Sequence, residues 1–235
     1  GVLEKVIGDD DDSFEPEEVE EVPEEADIPR GRLGKGELRS LLFILGSIVL
    51  WFMGYNAVTS KYSVYAEKVL GMDYNTTLLL AQAAAIVSYL PVGMIASRVG
   101  RKKTILAGIL MLTAAFGTAS FLRVGSSQLL MNAMFCLAGI GWATINVNSF
   151  PMVVEMCKGS DVGKYTGFYY TASMAAQTLT PYLSGKLMDM EGMTALFPYA
   201  TVCVGLAFVT MLFVRHGDSK PMKKQSTLEA FDVED

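Results

Sequence analysis

The sequence predicts an all-α protein, a polytopic membrane bundle of six transmembrane helices. Three observations carry this reading. Apolar residues fill 51% of the 235 positions and charged residues only 19%, against about a quarter charged in an ordinary soluble domain. The apolar residues gather in six stretches, roughly 40–58, 77–97, 104–122, 128–154, 165–188 and 194–214, each long enough to cross about 30 Å of hydrocarbon. Short connections between them hold most of the charges, as expected where spanning helices satisfy their own backbone polar groups. A soluble helical core would show amphipathic stripes backed by a charged face, and a transmembrane barrel would show alternating strands. Neither pattern is present.

Ahead of the first span, residues 1–27 hold thirteen of the 25 acids and one base, Lys5, a local charge of −12. The run DDDDSFEPEEVEEVPEEAD is too polar to offset chain entropy by burial and reads as disordered. The rest of the chain holds 18 bases and 12 acids, so the net −6 joins an acidic segment to a basic, apolar body. The division expected is 1–39 as an acidic cytoplasmic segment, 40–216 as the six-helix domain and 217–235 as a cytoplasmic tail. No secretory signal precedes the first span near Leu41, and a chain opening on Gly1 reads as a piece of something longer.

The cations assign the two sides. With the first span starting inside, the inner face collects Arg30, Arg32, Lys35, Arg39, Arg98, Arg101, Lys102, Lys103, Lys158, Lys164, Arg215, Lys220, Lys223 and Lys224. The outer face holds Lys61, Lys68, Arg123 and Lys186. This bias places both ends of the bundle on the cytoplasmic side of a cell membrane.

The first span holds Trp51, Tyr55 and Asn56; Asn56 is a candidate for a cavity wall, with aromatic packing the plainer alternative. Asn75-Thr76-Thr77, at the start of the second span, reads as N-cap chemistry. Between the second and third spans lies GMIASRVGRKKT, small residues followed by a tight cluster of cations. Taken alone, the cations among Gly93, Arg98, Gly100, Arg101, Lys102 and Lys103 read as ordinary positive-inside residues.

The fourth span carries Trp142, Asn146 and Asn148 ahead of Pro151, which denies a hydrogen bond to the carbonyl four residues back and is expected to kink the helix. Polar amides beside such a site suit a cavity wall, and they also suit bonds that simply join helices. Glu155, at the inner end of this span, reads as an acid that pairs with a loop cation rather than as a proton carrier. The fifth span is rich in small residues and adds Tyr170, Gln177 and Pro181. An unpartnered mid-span amide is costly, so Gln177 is a candidate for the substrate path.

The GMIASRVGRKKT segment resembles the signature loop of the major facilitator superfamily, which joins the second and third helices of each six-helix half. The resemblance implies that Gly93, Arg98, Gly100, Arg101, Lys102 and Lys103 form a cytoplasmic latch. Ser97 departs from that pattern, where the family has an acid. The segments WFMGYNAVTSKYSVYA, IVSYLPVGMIASRVGRKKT and GIGWATINVNSFPMVVEMCKGSDVGKYTGFYYTASMAAQTLTPYLSG are similar to bacterial members related to solute carrier family 45, the sucrose-transporter-like and glycoside–cation symporter proteins. The resemblance implies the C-terminal half of a twelve-helix secondary transporter. Its partners would be an N-terminal six-helix half, the lipid bilayer, a small-molecule substrate such as a sugar, and a coupling proton or cation. The contending expectations are a proton-coupled exporter of amphipathic compounds and a half-length membrane protein that transports nothing.

Catalysis is not expected. No phosphate loop, paired carboxylates or triad is present, and the sole histidine, His216, lies past the last span. No Cys/His pair has ligand spacing, so neither a metal nor a cofactor is expected, and nothing points to nucleic acid. Cys136, Cys157 and Cys203 read as packing residues.

Overall fold

The structure, a computed structural model, describes residues 33–156 and 161–218. The expectations for the acidic segment before Leu33, for Cys157 and Lys158, and for the tail after Asp218 lie outside the described residues. Within them the chain forms six long helices: α1 Lys35–Tyr65, α2 Tyr74–Val99, α3 Arg101–Ala119, α4 Gln128–Val154, α5 Val162–Glu191 and α6 Leu196–Leu212. Five are long and apolar enough to cross a membrane. The exception, α5, has the length at 30 residues, but its Thr, Ser, Gln and Lys residues dilute its apolar character.

The first helix is longer than hydropathy alone indicates. It starts at Lys35, where the Gly34 N–H donates to the Glu37 carboxylate at 2.8 Å, and passes residue 58 into a π-helical turn, Ala66–Leu70. Lys61, Glu67 and Lys68 end the apolar run, yet Tyr62, Tyr65, Ala66 and Leu70 recur on one face and are buried, so packing carries the helix on. Gly71 stops it in the left-handed region, φ 66°. The cap of α2 is also not the residue expected. Asp73, not Asn75, accepts the Asn75 N–H at 2.9 Å and the Thr76 N–H at 3.3 Å.

Successive helices run up and down between two faces, called here the terminal face (where α1 starts and α6 ends) and the distal face. Helix α1 packs on α5 and α6, α4 packs on α2 and α3, and α3 packs on α6. Exchanging α1–α3 with α4–α6 turns α1·α5 into α4·α2 and α1·α6 into α4·α3, and leaves α3·α6 as it is. Because α1 and α4 run in opposite directions, this is the packing of an inverted three-helix repeat.

Glycines permit the closest approaches. A Cβ on Gly54 of α1 would meet Val204 Cγ2 of α6 at 2.6 Å, and Gly108 of α3 and Gly141 of α4 each face the other's carbonyl oxygen at 2.8 Å. These two contacts sit at pairings that the repeat makes equivalent. Gly139 of α4 lies against the Ala81 carbonyl of α2 with no room for a side chain. Toward the distal face the core is aromatic, with Tyr62, Tyr65, Phe116 and Phe135 all ringing Phe197 at centroid distances from 5.1 to 6.3 Å.

Candidate functional site

A cleft of about 210 Å³ opens between α1, α2 and α4 in the distal half, lined by Tyr55, Val58, Thr59, Leu78, Ala81, Gln82, Phe116, Phe135, Ala138 and Gly139. None of these residues is ionisable at neutral pH. Tyr55 lies flat on Trp142, ring centroids 3.8 Å apart and planes 3° apart, while Phe52 meets Trp142 edge-on at 5.0 Å. The Thr59 hydroxyl donates to its own helix, to the Tyr55 and Asn56 carbonyls. Gln82 is exposed, and its amide makes no hydrogen bond among the described residues. The cleft therefore offers an aromatic stack, apolar walls and one free amide.

The sequence candidates distribute unevenly around it. Trp142 supports the cleft through Tyr55. Asn56 and Asn146 are half-buried, and each donates its amide to its own helix, to the Phe52 carbonyl at 2.8 Å and the Trp142 carbonyl at 2.9 Å. Asn56 falls between the cleft residues Tyr55 and Val58 along α1, Asn146 lies about two turns past Gly139 toward the terminal face, and neither amide oxygen accepts a hydrogen bond among the described residues.

Asn148 lies elsewhere. It is fully buried on the side of α4 that carries Gly141 and Thr144 against α3. Its amide donates to the Thr144 carbonyl at 2.8 Å, and its oxygen has no partner among the described residues. Two residues of helix turn a side chain by about 200°, which parts Asn148 from Asn146. Gln177 and Tyr170 share an exposed stripe of α5 with Met174 and Pro181 and line no part of the cleft. Tyr170 instead joins an aromatic group with Phe150 and Tyr169, at 5.8 and 5.4 Å. There the Ser149 hydroxyl lies 3.1 Å from the Tyr169 hydroxyl and draws α4 to α5 near the terminal face.

Gln82 escaped the sequence reading. The signal was available, since LLLAQAAAIV sets one amide in an otherwise apolar span, the argument applied to Gln177. Thr59 carried no such signal.

The gating-loop residues meet at the terminal face. Gly100 alone joins α2 to α3, with φ 101°, a conformation that only glycine adopts without strain. Arg98 occupies the last turn of α2, where a cation complements the helix dipole, and is exposed, as is Lys103. Gly93 faces Val147 of α4. Arg101, Lys102 and Lys103 open α3 with no acid in its first turn, an arrangement the dipole disfavours. Acids from elsewhere offset it. Glu155 at the end of α4 accepts Arg101 Nε at 2.7 Å and lies 2.6 Å from its Nη2, and Asp218 accepts the Lys102 N–H at 3.2 Å. The Lys102 ammonium turns away to the last carbonyls of α6, those of Leu212 and Val214. The segment after α6 thus crosses the terminal face as a strap. It reaches α1 where the Ser40 hydroxyl accepts the Arg215 N–H at 3.1 Å and lies 2.8 Å from His216 Nδ1. At Gly217 it presses on Met152 and Met156 at the end of α4.

Among known proteins, the chain is 25% identical over 134 residues to the MFS-type transporter ppzB of Metarhizium rileyi (strain RCEF 4871), a match covering 57% of this chain and 27% of that protein. Its fold is similar to that of the human organic anion transporter MFSD10 (TETRAN), with a TM-score of 0.58 at 14% identity over 77% of this chain and 48% of the other. A POT family transporter in complex with a thioalcohol-conjugated peptide superposes with a TM-score of 0.64 at 18% identity, over 82% of this chain and 42% of the other. A peptide transporter POT in complex with alafosfalin reaches 0.65 at 18% identity, over 88% and 46%. The chain thus spans less than half the length of each. Residues 43–233 match the family described as the Major Facilitator Superfamily, and with its all-helical, multi-pass architecture the chain belongs to that superfamily.

Proposed function

We propose that this chain forms one wall of the substrate path in a secondary transporter for uncharged, ring-bearing small molecules, working by alternating access against a second six-helix half. The observation that carries the reading is the cleft itself: the Tyr55–Trp142 stack beside the free Gln82 amide, with no ionisable group in its lining. A charged substrate would sit there with no opposite charge to offset its desolvation, whereas a sugar ring finds an aromatic group and the Gln82 amide. Sugars or glycosides are the substrate class that the sequence resemblance supports. Energy would come from a proton or cation gradient, with the coupling carboxylate on the other half. The chain would lie in the cell membrane with its terminal face cytoplasmic, the side richer in Lys and Arg.

A second reading has its own support. Val58, Leu78, Phe116 and Phe135 make most of the cleft apolar, Asn148 is spent in helix packing, and Gln177 lies off the cleft. These features suit export of amphipathic compounds. Vesicles of the assembled transporter separate the two: labelled disaccharide should accumulate when a proton gradient is imposed. Gradient-driven expulsion of a hydrophobic dye without sugar uptake would assign the second reading.

A further inference from the structure

On the terminal face, the outer surface of α1 and α6 carries a feature that the transport reading does not use. Lys35, Arg39 and Phe43 recur every four residues and so line one stripe of α1. The Arg39 guanidinium sits 5.5 Å above the Phe43 ring, and Phe43 stacks on Phe213 of α6 with centroids 5.3 Å apart. The strap adds a third cation. The Arg215 N–H donates to the buried Ser40 hydroxyl, which anchors its backbone at the residue that follows Arg39.

Among the described residues none of the three forms an ion pair. Arg101–Glu155 is the only ion pair among the described residues. The nearby acids are engaged, Glu37 by the Gly34 N–H and Asp218 by the Lys102 N–H. The outer surfaces of the same two helices and of the residue after α6 expose apolar side chains: Leu38, Leu42, Leu206, Val209, Leu212 and Phe213, each about half exposed or more. Cations beside an aromatic pair and an exposed apolar helix surface complement one kind of molecule, with a negative head and hydrocarbon tails.

We propose that the inner ends of α1 and α6 form a binding site for an anionic phospholipid. Arg39, Arg215 and Lys35 hold the headgroup phosphate, and the Phe43–Phe213 pair and the leucines below seat the acyl chains. The lipid would staple α1 to the strap that follows α6 and supply a counter-charge that no described residue provides.

Native mass spectrometry of the full chain in mild detergent tests this, with phosphatidylglycerol titrated against phosphatidylcholine of the same acyl chains. One phosphatidylglycerol should be retained preferentially, and Arg39→Gln or Arg215→Gln should each weaken its retention about five-fold, the effect of one cation near an anionic surface. Lys164→Gln is the control. Lys164 lies on the same face, 5.9 Å over the Phe168 ring of its own helix, and its removal should leave retention unchanged. Equal retention of the two lipids by the unaltered chain overturns the proposal and needs no variant to fold. So does an equal loss in Lys164→Gln, which would mean diffuse attraction to the cationic face. Displacement of the lipid by excess glycerol phosphate would reveal a site for soluble phosphate and overturn it too.

Discussion

Lys102 and Asp218 cap each other's helices. The Asp218 carboxylate accepts the Lys102 N–H at the start of α3, and the Lys102 ammonium donates to the Leu212 and Val214 carbonyls at the end of α6. Each charge sits where a helix dipole favours it, although Lys102 is in the first turn of a helix that would repel it. Lys102→Met should lower stability by about 1–2 kcal/mol, because the α6 carbonyls lose a charge-assisted donor. Asp218→Asn should cost less, and the double variant less than the sum of the two, since they act on one junction. Thermal unfolding in detergent measures all three.

The Arg101–Glu155 pair is partly exposed, 29% for each side chain, so its contribution to stability is small, below about 1 kcal/mol. Glu155→Gln should therefore leave the melting temperature nearly unchanged while altering the rate of substrate uptake by the assembled transporter several-fold. Exchanging the charges, with Arg101→Glu and Glu155→Arg together, should restore the rate. Unchanged uptake in the single variant would remove the latch role.

Glycine positions separate close helix contact from open surface. Gly139→Ala and Gly54→Ala put a methyl group onto backbone or side-chain atoms of a neighbouring helix and should cost about 1–3 kcal/mol each. Gly46→Ala and Gly205→Ala meet nothing within 4 Å and should be neutral or slightly stabilising by helix propensity. Folded yield and melting temperature distinguish the two groups.

Asp73 supplies a pH dependence. Hydrogen bonds from the Thr76 side chain and from the Asn75 and Thr76 amides hold its carboxyl below the ordinary value, against a weaker opposing effect of desolvation. A carboxyl with a lowered folded-state pKa stabilises above its unfolded value and loses that contribution as pH falls through the folded value. Stability should therefore decline on acidification through and below the usual carboxylate range. Asp73→Asn, which keeps an N-cap acceptor without the charge, should flatten that part of the profile in a melting-temperature series.

Gln82 and Asn148 should respond in opposite ways. Gln82→Ala removes the free amide of the cleft and should raise the apparent KM for substrate with little change in folded yield. Asn148→Leu replaces a buried amide whose oxygen has no partner, so it should be neutral or stabilising and leave KM alone. Kinetics and yield measured on both variants check this.

The expected spans and the helices agree most closely where apolar runs end on strong signals. Helix α4 occupies 128–154 as read, because Ser127 caps it and the chain turns polar after Val154. Agreement is weakest at α1, where Tyr62 and Tyr65 bury themselves beyond the apolar run. In the site, Trp142 was legible as a cavity-wall candidate, but its stacking on Tyr55 was not, since nothing local says which face of α1 meets α4. Asn146 and Asn148 read alike in sequence and part in space.

The sequence by itself determined the membrane setting, the six spans and the uneven division of cations between the two faces. These follow from hydropathy and charge, which are counted along the chain whatever the helices do next. Only the tertiary structure decided which polar groups meet. Arg101 finds Glu155 across 54 residues, Lys102 finds Asp218 across 116, and Ser40 finds His216 across 176. The physical reason is rotational: each residue turns a side chain about 100° around its helix. Its partner is then set by which faces the glycine contacts bring together, a property of pairs of helices.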